Sequence, residues 1–457
     1  MNKLKNIRLL FITIIVLQFI LAIRYGLKVP WGGDEWFSYK NFTLMGLPFS
    51  IITSLLKKFL GQVNTENYIL YRAQGLLWSS IAYCFLYRIS TKSDYDELSK
   101  FGIFIAVFLG LNPFFLETSQ FFRYYQLYIT SSIIIAFGIL KYDSVFRQRR
   151  KWFYIALFSS FLIHLFLFIQ LIVYIIFKEL FQLNRKNIIL ILTTFGLVAL
   201  LIIPNLPSIL VWSWHNLFPA YAFDFPEIHR GFSLSTILKP FMIIFTFMYG
   251  GNLSPFTYFF LDIIYITAGI GIIYGIYFSL KNKPELRSPI LFTALLPLFV
   301  SVFIIEPISL PMMGQVGPQH VIFLFPWVAF IFFQLWCFTK IGKIINILIV
   351  SGFLYAGYLN QTREYIDWEK IQKVVGDEEV PVISDAAKTC EFFLNNSVTW
   401  FQYTEIVENI INTSDTISLT MTNWKNYQII DSLQYWINPE GSKQEYQSIK
   451  GIIKLLK

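Results

Sequence analysis

Two adjacent carboxylates, Asp34 and Glu35, stand in the segment Trp31-Gly-Gly-Asp34-Glu35-Trp36-Phe37, just past a long apolar run. A carboxylate is costly inside lipid, so an acidic pair held at the lip of an apolar segment reads first as a functional group. Such a pair can accept a proton from an attacking hydroxyl or hold one divalent ion. A second constellation runs from Asn112-Pro113 through Glu117 and Ser119-Gln120 to Arg123, Tyr124, Tyr125 and Tyr128. Arginine never deprotonates, and its planar fork suits phosphate oxygens. A hydroxyl-activating carboxylate and a phosphate-binding arginine at one interface fit group transfer from a lipid phosphate. A third polar stretch, residues 306–320, ends in Gln319-His320.

The elements that must position these groups are membrane spans. The 457 residues are 55% hydrophobic and 14% charged, against about 25% charged in soluble proteins. Mean hydropathy is +0.55. The apolar surface needs lipid, and the fold expected is an α-helical polytopic membrane protein. The net charge of +9 fits Lys and Arg retained in cytoplasmic loops, so no nucleic-acid partner is expected. Cys84 and Cys337 fall in apolar runs and Cys390 in the polar tail, which suggests no disulfide framework.

Span length and the positive-inside rule order the chain. A basic start (Lys3, Lys5, Arg8) precedes an apolar run at 9–23, read as a retained first span that delivers Asp34 and Glu35 to the outer face. Residues 68–88 return to a cytoplasmic loop at 90–100. Runs at 101–115 and 127–140 make a hairpin that ends at Arg147-Gln-Arg149-Arg150-Lys151, the strongest inward marker. Residues 152–180 are too long for one span and read as two, joined by a tight hairpin near His164. Residues 187–204 lead to an outer loop at 205–235, whose only Lys or Arg is Arg230. The run at 241–250 reads as interfacial or re-entrant, and 256–280, 289–305, 321–338 and 344–358 as spans. The total is roughly eleven crossings.

After residue 361 the composition shifts. Residues 380–384 and 416–421 read as strands, 385–395 as a helix and 442–457 as an amphipathic helix. Two domains are expected: 1–360, carrying the membrane bundle, and 361–457, a small soluble α/β domain on the extracytoplasmic side.

The ordered set Gly33-Asp34-Glu35, Arg72-Ala-Gln-Gly75 and Asn112-Pro113…Ser119-Gln120-Phe-Phe-Arg123-Tyr-Tyr-Gln-Leu resembles the polytopic glycosyltransferases of the GT-C superfamily. It is closest to the branch of protein O-mannosyltransferases, aminoarabinose transferases and bacterial envelope glycosyltransferases. The likeness covers about the first 180 residues by motif and the rest by architecture only. It implies a polyprenyl-phosphate-linked sugar as donor and an envelope lipid, glycan or protein as acceptor. It also implies residence in the bacterial inner membrane, with chemistry on the extracytoplasmic face. Asp34, with Glu35, would be catalytic, and Asp34 would take the acceptor proton. A solvated Asp has a pKa of about 3.9, which partial burial would raise toward a useful range. Arg123, Tyr124 and Tyr128 would meet the donor phosphate, with Arg72, His164, His320 and Lys239 as further substrate contacts.

Each assignment has a structural rival. Arg123 can snorkel to headgroups within an aromatic belt, Arg72 can bridge Asp34 or Glu35, and either histidine can serve packing alone. The family often has Arg-Tyr before a late proline, where this chain has Gln319-His320 before Pro326. Donor phosphate would then fall to Arg123, His320, Arg230 or Lys239. No metal ligand set is expected, although the Asp-Glu pair leaves a divalent cation open. Two other function classes are a non-catalytic membrane scaffold and a transporter or flippase for a lipid-linked or glycan substrate. The latter would place ionisable groups near the bilayer midplane.

Overall fold

Within lipid, every backbone N–H and C=O must be satisfied inside its own segment, so apolar runs become helices. The computed structural model describes residues 2–28, 33–40, 42, 46–64, 66–91, 96–180, 189, 234–250, 258–299 and 321–362, together with four short strands between 382 and 437. The described residues are overwhelmingly helical. Three helices among them are long and apolar enough to cross a membrane: Leu4–Arg24, Phe259–Asn282 and Lys340–Asn360.

In chain order the helices are α1 (Asn2–Lys28), α2 (Gly33–Lys40), α3 (Leu47–Leu60), α4 (Tyr68–Ser90), α5 (Asp96–Leu111), α6 (Pro113–Thr118) and α7 (Tyr125–Leu140). They continue as α8 (Arg150–Ile163), α9 (Leu165–Leu180), α10 (Leu234–Tyr249), α11 (Phe259–Asn282), α12 (Pro284–Ile290), α13 (Leu296–Phe299), α14 (Phe325–Phe338) and α15 (Lys340–Thr362). A π-helical stretch, Leu291–Leu295, joins α12 to α13. The chain divides into two compact units. One comprises Met1–Ala22, Thr43–Ile52 and Ala73–Asn360; the other comprises Ile23–Phe42, Thr53–Arg72 and Gln361–Lys457.

The first unit has a phenylalanine core. Phe101 of α5 stacks on Phe137 of α7 at 4.9 Å and meets Phe330 of α14 edge-on at 5.0 Å. Helix α11 packs on α14 through small residues, which let helix backbones approach closely. A Cβ on Gly275 would lie 2.5 Å from the Ile331 side chain. The long run at 152–180 breaks where the sequence predicts: His164 is extended (φ −162°, ψ 134°) between α8 and α9. The run at 241–250 lies in the 16-residue α10, with Pro240 inside it. It is too short to rank among the three long apolar helices.

In the second unit, four three-residue strands form a parallel sheet in the order β2-β1-β3-β4: β1 is Val382–Ser384, β2 Val398–Trp400, β3 Ser418–Thr420 and β4 Tyr435–Ile437. β1 and β3 fall inside the two stretches predicted as strands, while β2 and β4 had not been picked out. Parallel neighbours need crossover connections. The residues that make them, including the helix predicted at 385–395, lie outside the described residues, as does the helix predicted at 442–457.

Candidate functional site

In the second unit, Arg72 organises the acidic segment. Its Nε donates to Glu35 Oε1 at 2.8 Å and its Nη2 to Oε2 at 2.6 Å, and neither side chain has any solvent exposure. The third guanidinium nitrogen, Nη1, donates to the Gly26 carbonyl at 2.6 Å. Local sequence explains this arrangement. Gly26 lies in the last turn of α1, where carbonyls lack helical partners and attract cations. Glu35 is the third residue of α2, where the helix end favours an anion. Arg72 therefore clamps the end of α1 to the start of α2. Its guanidinium also lies over the Tyr68 ring, 5.3 Å from the centroid.

Asp34 precedes Glu35 on α2. Further along that helix, the Tyr39 hydroxyl accepts from the Val63 N–H at 3.2 Å. The Lys57 ammonium donates to the Tyr39 carbonyl and sits 4.0 Å above the Tyr39 ring. Burial holds Lys57 below the ordinary lysine range. These contacts tie α2 to the last turn of α3. Among the described residues, no three His, Cys, Asp or Glu side chains are grouped to hold a metal ion.

The first unit carries the second motif. Asn112 caps α6, its Oδ1 accepting from the Phe115 N–H at 2.9 Å, with Pro113 at the first helical position. This is the pairing expected at a helix start. The Asn112 amide nitrogen donates to the Phe247 carbonyl of α10 at 2.8 Å. From Thr118 a buried chain of hydrogen bonds runs to Gln126 Oε1 (2.8 Å). Gln126 Nε2 then donates to Ser79 Oγ (2.8 Å), which donates to the Gly75 carbonyl (3.1 Å). Gly75 is needed for this approach, since a Cβ there would lie 2.2 Å from the Ser119 carbonyl oxygen.

Arg123 is half-buried, with its guanidinium 5.4 Å from the Tyr125 ring centroid and 5.9 Å from that of Tyr124. Tyr128 is fully buried and stacks on the His164 imidazole at 4.3 Å. Tyr124 flanks the same imidazole at 5.9 Å. His164 Nδ1 accepts from the Phe166 N–H at 3.2 Å, so the histidine caps α9. The Ile163 carbonyl released by the break is taken by the Gly46 N–H at 3.1 Å. Gly46 adopts φ +74°, and a Cβ there would strike Tyr124. The structure thus brings Arg123, Tyr124, Tyr128 and His164 together in the first unit, and Glu35 with Arg72 in the second.

Lys239 lies on α10. Arg230, Gln319 and His320 fall outside the described residues. Gly46, Gly75, Ser79 and Gln126 carry the packing around the motif. The sequence does hold one signal for the last two, which are polar residues set within apolar runs.

No family model matches the chain, and no curated protein or solved structure is significantly similar to it.

Proposed function

We propose that the chain is a GT-C-type glycosyltransferase of the bacterial inner membrane, built on roughly eleven spans with a small extracytoplasmic α/β domain. In this reading it moves a hexose or pentose from a polyprenyl-phosphate donor to an envelope lipid, glycan or protein on the outer face. The observation that carries the reading is the buried, bidentate Glu35–Arg72 pair. Burying an ion pair is a poor route to stability, because desolvation offsets the attraction. The pair's value lies in fixing the start of α2, which carries Asp34.

The pair divides the labour between the carboxylates. Both Glu35 oxygens are engaged by Arg72, so Glu35 is a positioning residue and proton transfer falls to Asp34. Asp34 takes the acceptor hydroxyl proton as that oxygen attacks the anomeric carbon. The bond from that carbon to the phosphate oxygen breaks, and the polyprenyl phosphate leaves with the electron pair. One displacement inverts the anomeric centre through an oxocarbenium-like state. The resemblance assigns the departing phosphate to Arg123, whose guanidinium lies 5.4 Å from the Tyr125 ring centroid. His164 orders the Tyr124–Tyr128 face through stacking and capping.

The test is transfer by the purified, reconstituted chain from radiolabelled polyprenyl-phosphate hexoses and pentoses to envelope extracts, with the anomeric configuration of the product read out. Transfer with inversion supports the reading, and retention of configuration contradicts the single displacement.

A further inference from the structure

At the end of α5 away from the Asn112–Arg123 motif, the ends of α5, α14 and α15 enclose an open-sided groove of about 430 Å³. Its walls include Lys100, Lys343, Glu97, Trp336, Cys337 and Phe338. A third cation stands beside it. Lys283 pairs with Glu97 and lies 4.5 Å above the Phe338 ring. Gln334 Nε2 donates to the same Glu97 oxygen at 3.2 Å. Lys283 and Gln334 thus hold Glu97, the one acidic wall residue. Lys100 and Lys343 are both exposed, and they share the groove wall with Trp336 and Phe338.

We propose that this groove binds the headgroup of an anionic membrane phospholipid. Three observations converge on that occupant. The wall is net cationic, which matches a phosphodiester. Trp336 and Phe338 are 40% and 46% exposed, and aromatic rings of this kind belong at the headgroup level of a bilayer. The groove lies at the end of α15, one of the three helices long enough to span. It also lies at the end carrying Lys281, Lys283, Arg287, Lys340 and Lys343, which the positive-inside rule assigns to the cytoplasm. Basic pockets between spans on that side suit anionic headgroups. The chemistry required is a phosphate anion anchored by Lys100 and Lys343, with acyl chains running down the exposed apolar face of α15 that carries Ile344 and Ile347. A free phosphate would meet the cations but leave the rings unused. The proposal is independent of the glycosyltransferase reading.

The test uses the full-length chain in detergent micelles and counts retained lipid by native mass spectrometry. Phosphatidylglycerol, phosphatidylcholine and inorganic phosphate are titrated separately. A cation at a membrane surface is worth about 1 kcal/mol. Replacing both lysines (Lys100→Gln with Lys343→Gln) should therefore weaken phosphatidylglycerol retention roughly thirtyfold, with phosphatidylcholine unchanged. The pair Lys100→Arg with Lys343→Arg should keep retention, and so should a control of equal charge loss, Arg149→Gln with Lys151→Gln. Equal retention of the two lipids, an equal loss in the control, or displacement by inorganic phosphate at matched concentration would overturn the proposal.

Discussion

Arg72 grips Glu35 through two parallel hydrogen bonds of 2.8 and 2.6 Å, with both side chains sealed from solvent, and spends its remaining nitrogen on the Gly26 carbonyl. Removing one member strands a buried charge, which typically costs about 3–5 kcal/mol. Glu35→Gln and Arg72→Ala should each lower the melting temperature of the solubilised chain sharply. The double variant Glu35→Leu with Arg72→Leu should recover part of that loss. Lysine cannot reproduce the fork, so Arg72→Lys should not rescue. Two single variants that melt like wild type would mean the pair does not hold the start of α2.

The close approach at Gly75 gives a second prediction. A Cβ would lie 2.2 Å from the Ser119 carbonyl oxygen, whereas one at Gly357 on α15 would meet nothing within 4 Å. Overpacking of this kind costs about 1–3 kcal/mol, and helix propensity gains at most about 1 kcal/mol from Gly to Ala. Gly75→Ala should therefore destabilise while Gly357→Ala is neutral or mildly stabilising. Thermal melts of the two variants side by side decide it.

His164 separates structural from chemical use. Because Nδ1 accepts from the Phe166 N–H, an asparagine oxygen can replace it as a cap. His164→Asn should keep most of the stability and of any transfer activity. His164→Ala should lose about 1 kcal/mol together with the stacking on Tyr128. Loss of activity in a stable His164→Asn protein would assign the imidazole a chemical role.

Glu97 makes part of the stability depend on pH. Burial pushes its carboxyl up, but the hydrogen bonds from Lys283 and Gln334 and the charges of Lys283 and Lys100 together hold it below the ordinary carboxylate range. A depressed carboxylate stabilises the fold above the unfolded-state value of about 4.3 and loses that contribution as pH falls through the lower folded value. Glu97→Gln should thus be less stable than wild type near pH 7, and the gap should close below about pH 4. Melting curves across that range test the sign.

Much of this was legible in the sequence because lipid leaves few choices. The apolar runs among the described residues are helical, and the overlong stretch at 152–180 breaks at His164, whereas the run at 187–204 lies outside the described residues. The span read at 101–115 is cut by Asn112-Pro113, where α5 ends at Leu111 and α6 begins. Within the acidic segment, residue type alone left Arg72 split between bridging and substrate contact. The bridge could be seen only once α1 and α4 were in place, because Gly26, Glu35 and Arg72 are distant in sequence. The same holds for Gly46 and Gly75, whose importance comes from a backbone passing close by. Helix α3 escaped the span reading because its apolar residues Ile51, Leu55 and Phe59 recur at every fourth position over only 14 residues, too few to cross a bilayer.

The central claim is that Asp34 accepts the proton while Glu35 holds the start of α2. It is tested by transfer of radiolabel from polyprenyl-phosphate sugars in membranes carrying wild type, Asp34→Asn or Glu35→Asp at matched, folded levels. The account predicts label leaving the lipid with wild type, no transfer with Asp34→Asn, and reduced but measurable transfer with Glu35→Asp. Transfer by Asp34→Asn at the wild-type rate would contradict it.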